Sequence, residues 1–184
     1  MVRIDRVTTR GGDGGETSLG DGTRLAKDAP RITAIGEVDE ANAAIGLLRL
    51  AIRERPDIDT TLARIQNDLF DLGADLCVPG TGGDRLRLTE PPLRRLEADA
   101  AALNSDLPPL TSFVLPGGTQ AGAHAHMART IARRAERALV HLHNQEPLNP
   151  NLLRYLNRLS DYLFILARAL NAPSQADVLW RPGG

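Results

Sequence analysis

Arg129, Arg133 and Arg137 recur at every fourth position, with Arg134 and Glu136 beside them. On a helix this spacing lines three guanidinium groups along one face, where like charges repel unless anions neutralise them. A polyphosphate would do that. So would Glu136 and nearby acids on an ordinary solvated helix face, and the arginines alone leave both readings open. A second candidate is the glycine-rich run from Thr8 to Ser18, which contains Gly11, Gly12, Gly14 and Gly15. Its glycines expose backbone N–H groups and let the chain wrap an anion, with Arg10, Thr17, Ser18 and Lys27 as further donors. The run lacks the Gly-Lys-Ser/Thr of a Walker A loop and the βαβ setting of a dinucleotide fingerprint. From composition it reads equally as a flexible arm. Residues 9–23 hold almost no apolar side chains, so the segment is expected to be disordered without a nucleotide.

Smaller polar sets follow. Asn157 and Asp161 share a helix face beside an apolar stripe, and Asp39, Glu40 and Asn42 form a similar set nearer the N-terminus. Both sets suit ligand contacts or bonds between helices. His124 and His126, like His141 and His143, stand two apart, whereas a helical metal pair needs a spacing of three or four. All four read as structural or surface residues, and no catalytic metal cage, nucleophile elbow or Cys–His arrangement is expected.

The elements that must position these residues are helical. Helices are predicted from Arg31 to about Glu54, across Ile58–Leu76, from Pro91 to about Asn104, from about Thr119 to His143, and from about Asn149 to Leu170. Ile58, Leu62, Ile65, Leu69, Leu72 and Leu76 step by four and three, a stripe suited to bundle packing. Ala121, Ala125, Ala128, Ala132 and Ala135 give the fourth helix a thin face that lets neighbours approach. With no strand pattern evident, the prediction is an all-α fold, a five-helix up-and-down bundle. The chain divides into a glycine-rich segment 1–30, a helical bundle 31–170 and an irregular tail 171–184, within one domain spanning 1–184.

Composition narrows the possibilities. Hydrophobic residues make up 42% of 184, but aromatics only 3%, which favours close-packed aliphatic helices over a β-sandwich. The balance of 22 basic and 23 acidic residues argues against a nucleic-acid binder. Cys77 is the single cysteine, which excludes an internal disulfide and a multi-cysteine zinc site. No apolar run approaches the roughly 18 to 20 residues of a membrane span, so no membrane association is expected; the expected location is cytoplasmic, with a mature organellar form freed of its transit peptide as the alternative.

Four blocks, in order, carry a resemblance to the PduO-type ATP:corrinoid adenosyltransferases. They are TRGGDGGETSL (9–19) with Lys27, GEVDEANAAIG (36–46), FVLPGG (113–118) with ARTIARRAER (128–137), and YLNRLSD (155–161). The likeness extends to the VLWRPG tail at 178–183. It implies a ferritin-like four-helix core, a homotrimer with active sites between subunits, and transfer of the 5′-deoxyadenosyl group of ATP to Co(I) of cobalamin with release of triphosphate. Thr9, Arg10, Gly11, Gly12, Asp13, Thr17, Ser18 and Lys27 would cradle the phosphates. Arg133, Arg134, Glu136, Arg137 and Asn157 would complete the nucleotide site. Asp39 resembles the acid that pairs with the arginine here at Arg129, across the subunit interface. Phe113 resembles the aromatic residue that packs under the corrin and displaces its lower axial ligand. Arg133, Lys27 and Phe113 would carry the catalytic work.

The resemblance also implies ATP and cobalamin as substrates, Mg²⁺ on the phosphates, a flavin-dependent reductase as electron source, and an adenosylcobalamin-dependent acceptor enzyme. Two departures are visible. Gly11 stands where the family commonly has Thr, removing one hydroxyl from the cradle, and Ala41 stands where Leu is usual. Two other classes of function compete: a non-catalytic ATP- or corrinoid-binding carrier, and a structural trimer whose arginine face is an inter-subunit ion-pair network. Against both stand the glycine-rich segment and Lys27, which a scaffold does not need.

Overall fold

The computed structural model describes residues 8–80, 85–172 and 177–183. Five helices dominate it: α1 (Pro30–Ala51), α2 (Pro56–Leu76), α3 (Glu90–Ser105), α4 (Gln120–His143) and α5 (Pro150–Asn171). Proline stands in the first two positions of α1, α2, α3 and α5, where its missing N–H costs nothing and its fixed φ suits the helix. The start of α4 is held differently, by the Thr119 hydroxyl accepting from the Gly122 N–H at 3.0 Å. The first helix ends at Ala51, three residues before the predicted limit: Ile52 leaves helical geometry at φ −120, ψ 24 and its N–H turns back to the Arg49 carbonyl.

Around the bundle, α2 packs on α1, α1 on α4, α4 on α5, and α5 on α3. Side chains close the circuit between α2 and α3, where Arg64 pairs with Asp99 and Arg95 reaches Asp68 at 3.4 Å. The leucine stripes of α2 and α5 are buried in one core together with Ala125, Ala128, Ala132 and Ala135 of α4. The small alanines are what allow α4 to lie between α1 and α5. Tyr155, fully buried, donates to Asp68 at 3.0 Å, which satisfies its hydroxyl inside the core.

Among the described residues, four short strands correct the expectation of a chain without β-structure. β1 (Glu16–Ser18) pairs antiparallel with β2 (Arg24–Ala26), and β3 (Val114–Leu115) with β4 (Val178–Leu179). The first pair is a hairpin turned at Asp21-Gly22. Asp21 accepts the Thr23 N–H at 2.9 Å, and Gly22 has φ +88. Strands of three residues are too short to display alternation. The second pair joins the predicted irregular tail to a loop more than 60 residues away, which no local pattern reports.

The glycine-rich segment follows a defined path from Thr8 through the hairpin, and Leu19 supplies its anchor. That side chain is buried, and the Gly20 N–H next to it donates to the Cys77 carbonyl at 2.9 Å and faces Cys77 Sγ at 3.1 Å. The end of α2 is thus the dock for the hairpin. Arg31, buried at the start of α1, braces the same region by donating to the Leu76 carbonyl at 2.5 Å and pairing with Glu146 at 2.8 Å.

Asp75, also near the end of α2, is a buried junction. It accepts from Arg87 at 2.6 Å, from the Leu88 N–H at 2.9 Å and from Asn149 Nδ2 at 2.8 Å. Replacement by asparagine keeps the shape but removes the charge and turns a donor toward one of these donors. Asp75→Asn is expected to lower stability by about 2 kcal/mol, the scale of a disrupted buried hydrogen bond to a charged group. Denaturant unfolding at neutral pH checks it, and an unchanged midpoint would remove Asp75 from the stabilising contacts.

Candidate nucleotide and corrinoid site

The hairpin closes its glycine loop through backbone bonds. Asp13 N–H donates to the Arg10 carbonyl and Gly15 N–H to the Gly12 carbonyl, each at 3.2 Å, and Lys27 N–H to the Gly15 carbonyl at 2.8 Å. Arg10 sits in the left-handed region at φ +60, and Gly15 at φ +84. Lys27 lies across Gly12 so closely that a Cβ there would stand 2.9 Å from the ammonium nitrogen and 3.1 Å from Cε. Glycine at position 12 therefore sets where the lysine charge rests. Gly11 is roomier, since a Cβ there would meet only Thr9 Oγ1 at 3.7 Å.

This contrast yields a prediction. In Gly12→Ala the flexible end of Lys27 moves aside, but the Glu16 carbonyl, 3.3 Å from the new Cβ, must also give, so a loss of about 1 kcal/mol of stability is expected. The KM for ATP rises about tenfold, the 1.4 kcal/mol of one displaced charge contact. A parallel thermal melt and ATP titration measure both, and an unchanged KM would detach Lys27 from the nucleotide.

On α4, Arg133 and Arg137 are exposed along one face, and among the described residues neither has a carboxylate within ion-pair distance. Arg137 reaches only the Arg133 carbonyl, at 3.5 Å. Glu136 does not neutralise them; its carboxylate accepts from Asn157 Nδ2 at 2.9 Å, joining α4 to α5. Asn157 Oδ1 in turn accepts from Arg158 at 2.7 Å. Arg134 points the other way, donating to Glu37 at 2.5 Å and also bonding Glu40, both on α1. Of the predicted arginines, Arg134 thus has its guanidinium committed to a helix–helix bridge within the chain.

Arg129, one turn before Arg133, is half-buried. Its Nε has no partner, and its guanidinium lies 6.0 Å from the centre of the Phe164 ring. Burial first, and Arg133 second, push its pKa down from the usual arginine value. His126 is buried on the edge of the same ring, 6.1 Å away, with neither ring nitrogen partnered. Burial, reinforced by Arg129, lowers its pKa and favours the neutral ring. Asp39 is exposed on α1 beside an apolar groove of about 370 Å³ that Phe70 and Cys77 also line. Among the described residues no ion pair joins Asp39 to Arg129 within one chain.

Phe113 projects 77% exposed from the loop before β3. It is fixed from behind by the tail: the Trp180 N–H donates to the Phe113 carbonyl at 2.7 Å, and Ser112 Oγ to the Trp180 carbonyl at 2.8 Å. The two rings meet edge-on at 6.0 Å. Phe113, Trp180, Phe164, Leu110 and Arg129 share a cavity of about 670 Å³. Asn171 stiffens the same loop, accepting the Thr119 N–H at 2.9 Å and donating to the Gly117 carbonyl at 3.0 Å. Gly118 and Gly122 make room for it, since a Cβ at either would fall within 2.6 Å of the Asn171 side chain.

The structure thus brings together Lys27 with Gly12, Glu136 with Asn157, and Phe113 with Arg129. The bonds that secure the hairpin run to the end of α2. Reading the sequence did not single out Trp180 or Phe164, which line the cavity beside Phe113 and Arg129. Trp180 stood in the noted tail block, but its pairing with Phe113 depends on β3 and β4 meeting.

The chain is similar to a variant of the PduO-type ATP:corrinoid adenosyltransferase from Lactobacillus reuteri complexed with cobalamin and ATP, at a TM-score of 0.90 and 37% identity, covering 96% of this chain and 99% of that one. A second variant of that enzyme, complexed with ATP, matches at 0.88 and 38% identity, covering 95% of this chain and 100% of the other. Residues 7–170 match the family model of cobalamin adenosyltransferase, and the chain belongs to that family. Among curated relatives, the cobalamin adenosyltransferase of Cupriavidus metallidurans is 49% identical over 97% of this chain and 96% of its own. The corrinoid adenosyltransferase of Mycobacterium tuberculosis is 46% identical over 100% and 96%.

Proposed function

We propose that the protein transfers the 5′-deoxyadenosyl group of ATP to the cobalt of cob(I)alamin, releasing triphosphate. The observation that carries the reading is the uncompensated Arg133–Arg137 face of α4 on a chain that also holds Lys27 against a glycine loop. The electron pair of Co(I) forms the Co–C bond at the 5′ carbon, and the C–O bond to the α-phosphate breaks in line. Because the substrate supplies the nucleophile, the site needs no general base. The protein positions the reactants and stabilises charge building on triphosphate. Lys27, Arg133 and Arg137 take that role, aided by backbone N–H groups of Gly11 and Gly12 and the hydroxyls of Thr9, Thr17 and Ser18. Arg10 and Asp13 shape the loop, and the Glu136–Asn157 pair lies beside the arginine face for the nucleoside.

Mg²⁺ fits as a companion of the nucleotide. Among the described residues no group of three or more acidic, His or Cys side chains is placed to hold it, so phosphate oxygens and water would be its principal ligands. The active unit is a homotrimer with sites between subunits. There Arg129, whose Nε lacks a partner in its own chain, pairs with Asp39 of the partner subunit. Phe113 faces the lower side of the corrin from its apolar cavity. A flavin-dependent reductase supplies electrons, an adenosylcobalamin-dependent enzyme takes the product, and the setting is cytoplasmic. Among the described residues no helix is long and apolar enough to cross a membrane.

The test is an anaerobic reaction of purified protein with ATP and chemically reduced cobalamin. Loss of the cob(I)alamin absorbance with equimolar triphosphate is expected. ATP binding without product would favour the carrier reading instead.

A further inference from the structure

Arg24 on β2 makes three contacts within the hairpin. Its Nη2 donates to the Gly11 carbonyl at 2.9 Å, its Nη1 to Ser18 Oγ at 3.2 Å, and Nη2 stands 3.5 Å from Glu16 Oε2. The register explains the reach: Ser18 lies opposite Arg24, so both side chains and that of Glu16 leave one face of the ribbon. The Gly11 contact is the informative one, because it clamps a peptide between two glycines.

A trans peptide points its C=O and its N–H in opposite directions. Holding the Gly11 carbonyl toward Arg24 therefore turns the Gly12 N–H away from Arg24. With no Cβ on either side, this peptide plane can rotate at little steric cost. Rotation would present a carbonyl oxygen where an N–H had been, replacing attraction for an anion with repulsion. Gly11 widens that freedom, and its backbone is not in the left-handed region, so a side chain there would restrict the peptide without strain.

We propose that Arg24 is a positioning residue that locks the Gly11–Gly12 peptide in the orientation that receives the nucleotide's phosphates. The proposal rests on the nucleotide-site reading above. Arg24 acts on the loop before ATP arrives, so it governs affinity for ATP more than the rate once ATP is bound. Lysine offers one compact charge in place of a planar fork, so it cannot reproduce the separate Nη1 and Nη2 contacts to Ser18 and Gly11.

The test compares the parent with Arg24→Lys, Arg24→Gln, Gly11→Ala and the Arg24→Gln/Gly11→Ala double variant. Initial rates of cob(I)alamin adenosylation are measured against ATP, alongside thermal melts. Arg24→Gln is expected to raise KM for ATP about tenfold with kcat within about threefold of the parent, and Arg24→Lys to fall between. In the Gly11→Ala background the same change should raise KM less than threefold, since Ala already restricts the peptide, and such non-additivity marks coupled sites. A KM for ATP within twofold of the parent in Arg24→Gln overturns the proposal. So does a fall in kcat at unchanged KM, which would make Arg24 a direct partner of the departing phosphate.

Amide exchange provides a readout independent of turnover. The Gly15 and Lys27 N–H groups, bonded within the loop, should exchange faster in Arg24→Gln without ATP, and unchanged exchange overturns the brace. A parent protein that forms no product sinks the adenosyltransfer reading instead, and leaves the exchange result to decide the brace.

Discussion

Arg133→Ala is expected to lower turnover at saturating ATP by at least a hundredfold, about 2.7 kcal/mol, the scale of losing one donor that stabilises charge in a transition state. The residue is exposed, and within the described chain it has no carboxylate partner to leave stranded. Alanine is the better helix former, so α4 should keep its packing on α1 and α5. A large loss of activity with an unchanged melting temperature would therefore report chemistry and not folding. Arg133→Lys keeps a positive charge but lacks the planar fork that grips two phosphate oxygens, and should fall between the two. Arg134→Ala is the useful contrast. It removes the bridge to Glu37, which is half-buried, and to Glu40, which is exposed, so it tests the helix–helix contact and not the uncompensated face. Single-turnover rates with preformed cob(I)alamin separate the variants. Near-parent rates in Arg133→Ala would take that arginine out of the site and shift weight to an interfacial role for the face.

The residues that were legible in advance are those whose neighbours lie within a few positions. Leu62, Ile65, Leu69, Leu72 and Leu76 announced their buried face by spacing, and Pro91 marked the start of a helix to within one residue. The Arg129–Arg133–Arg137 line was equally plain. What it faced was not, because Glu136 turns to Asn157 and Arg134 to Glu37 and Glu40, partners set by which helices adjoin. The Asp75 junction draws on Arg87, Leu88 and Asn149, and the hairpin dock pairs Gly20 with Cys77 across 57 positions. Such contacts carry no periodicity. Strand β4 is the extreme case: Val178-Leu179 has no structure of its own and gains it only against Val114-Leu115. The tail read as irregular is in this way part of the Phe113 loop.

That attachment bears on the reductive half of the reaction. Phe113→Ala is expected to slow adenosylation from cob(II)alamin with a supplied reductant by about a hundredfold, while alkylation of preformed cob(I)alamin falls less than tenfold. A hundredfold change corresponds to about 120 mV for a one-electron couple, at 59 mV per tenfold. The side chain is mostly exposed, so its removal leaves no core cavity, and its backbone remains tied by the Trp180 N–H. What it loses is an apolar ring held over the cavity that Arg129 and Phe164 line. If that ring excludes the lower ligand, an alanine lets the ligand or water return and makes Co(II) harder to reduce. Once Co(I) is formed by other means, the ring has little left to do. Optical spectra of cob(II)alamin bound with ATP supply the independent check, since loss of the lower ligand alters the cobalt absorption. Equal losses in both assays, with the same spectrum in parent and variant, would confine Phe113 to shaping the cavity.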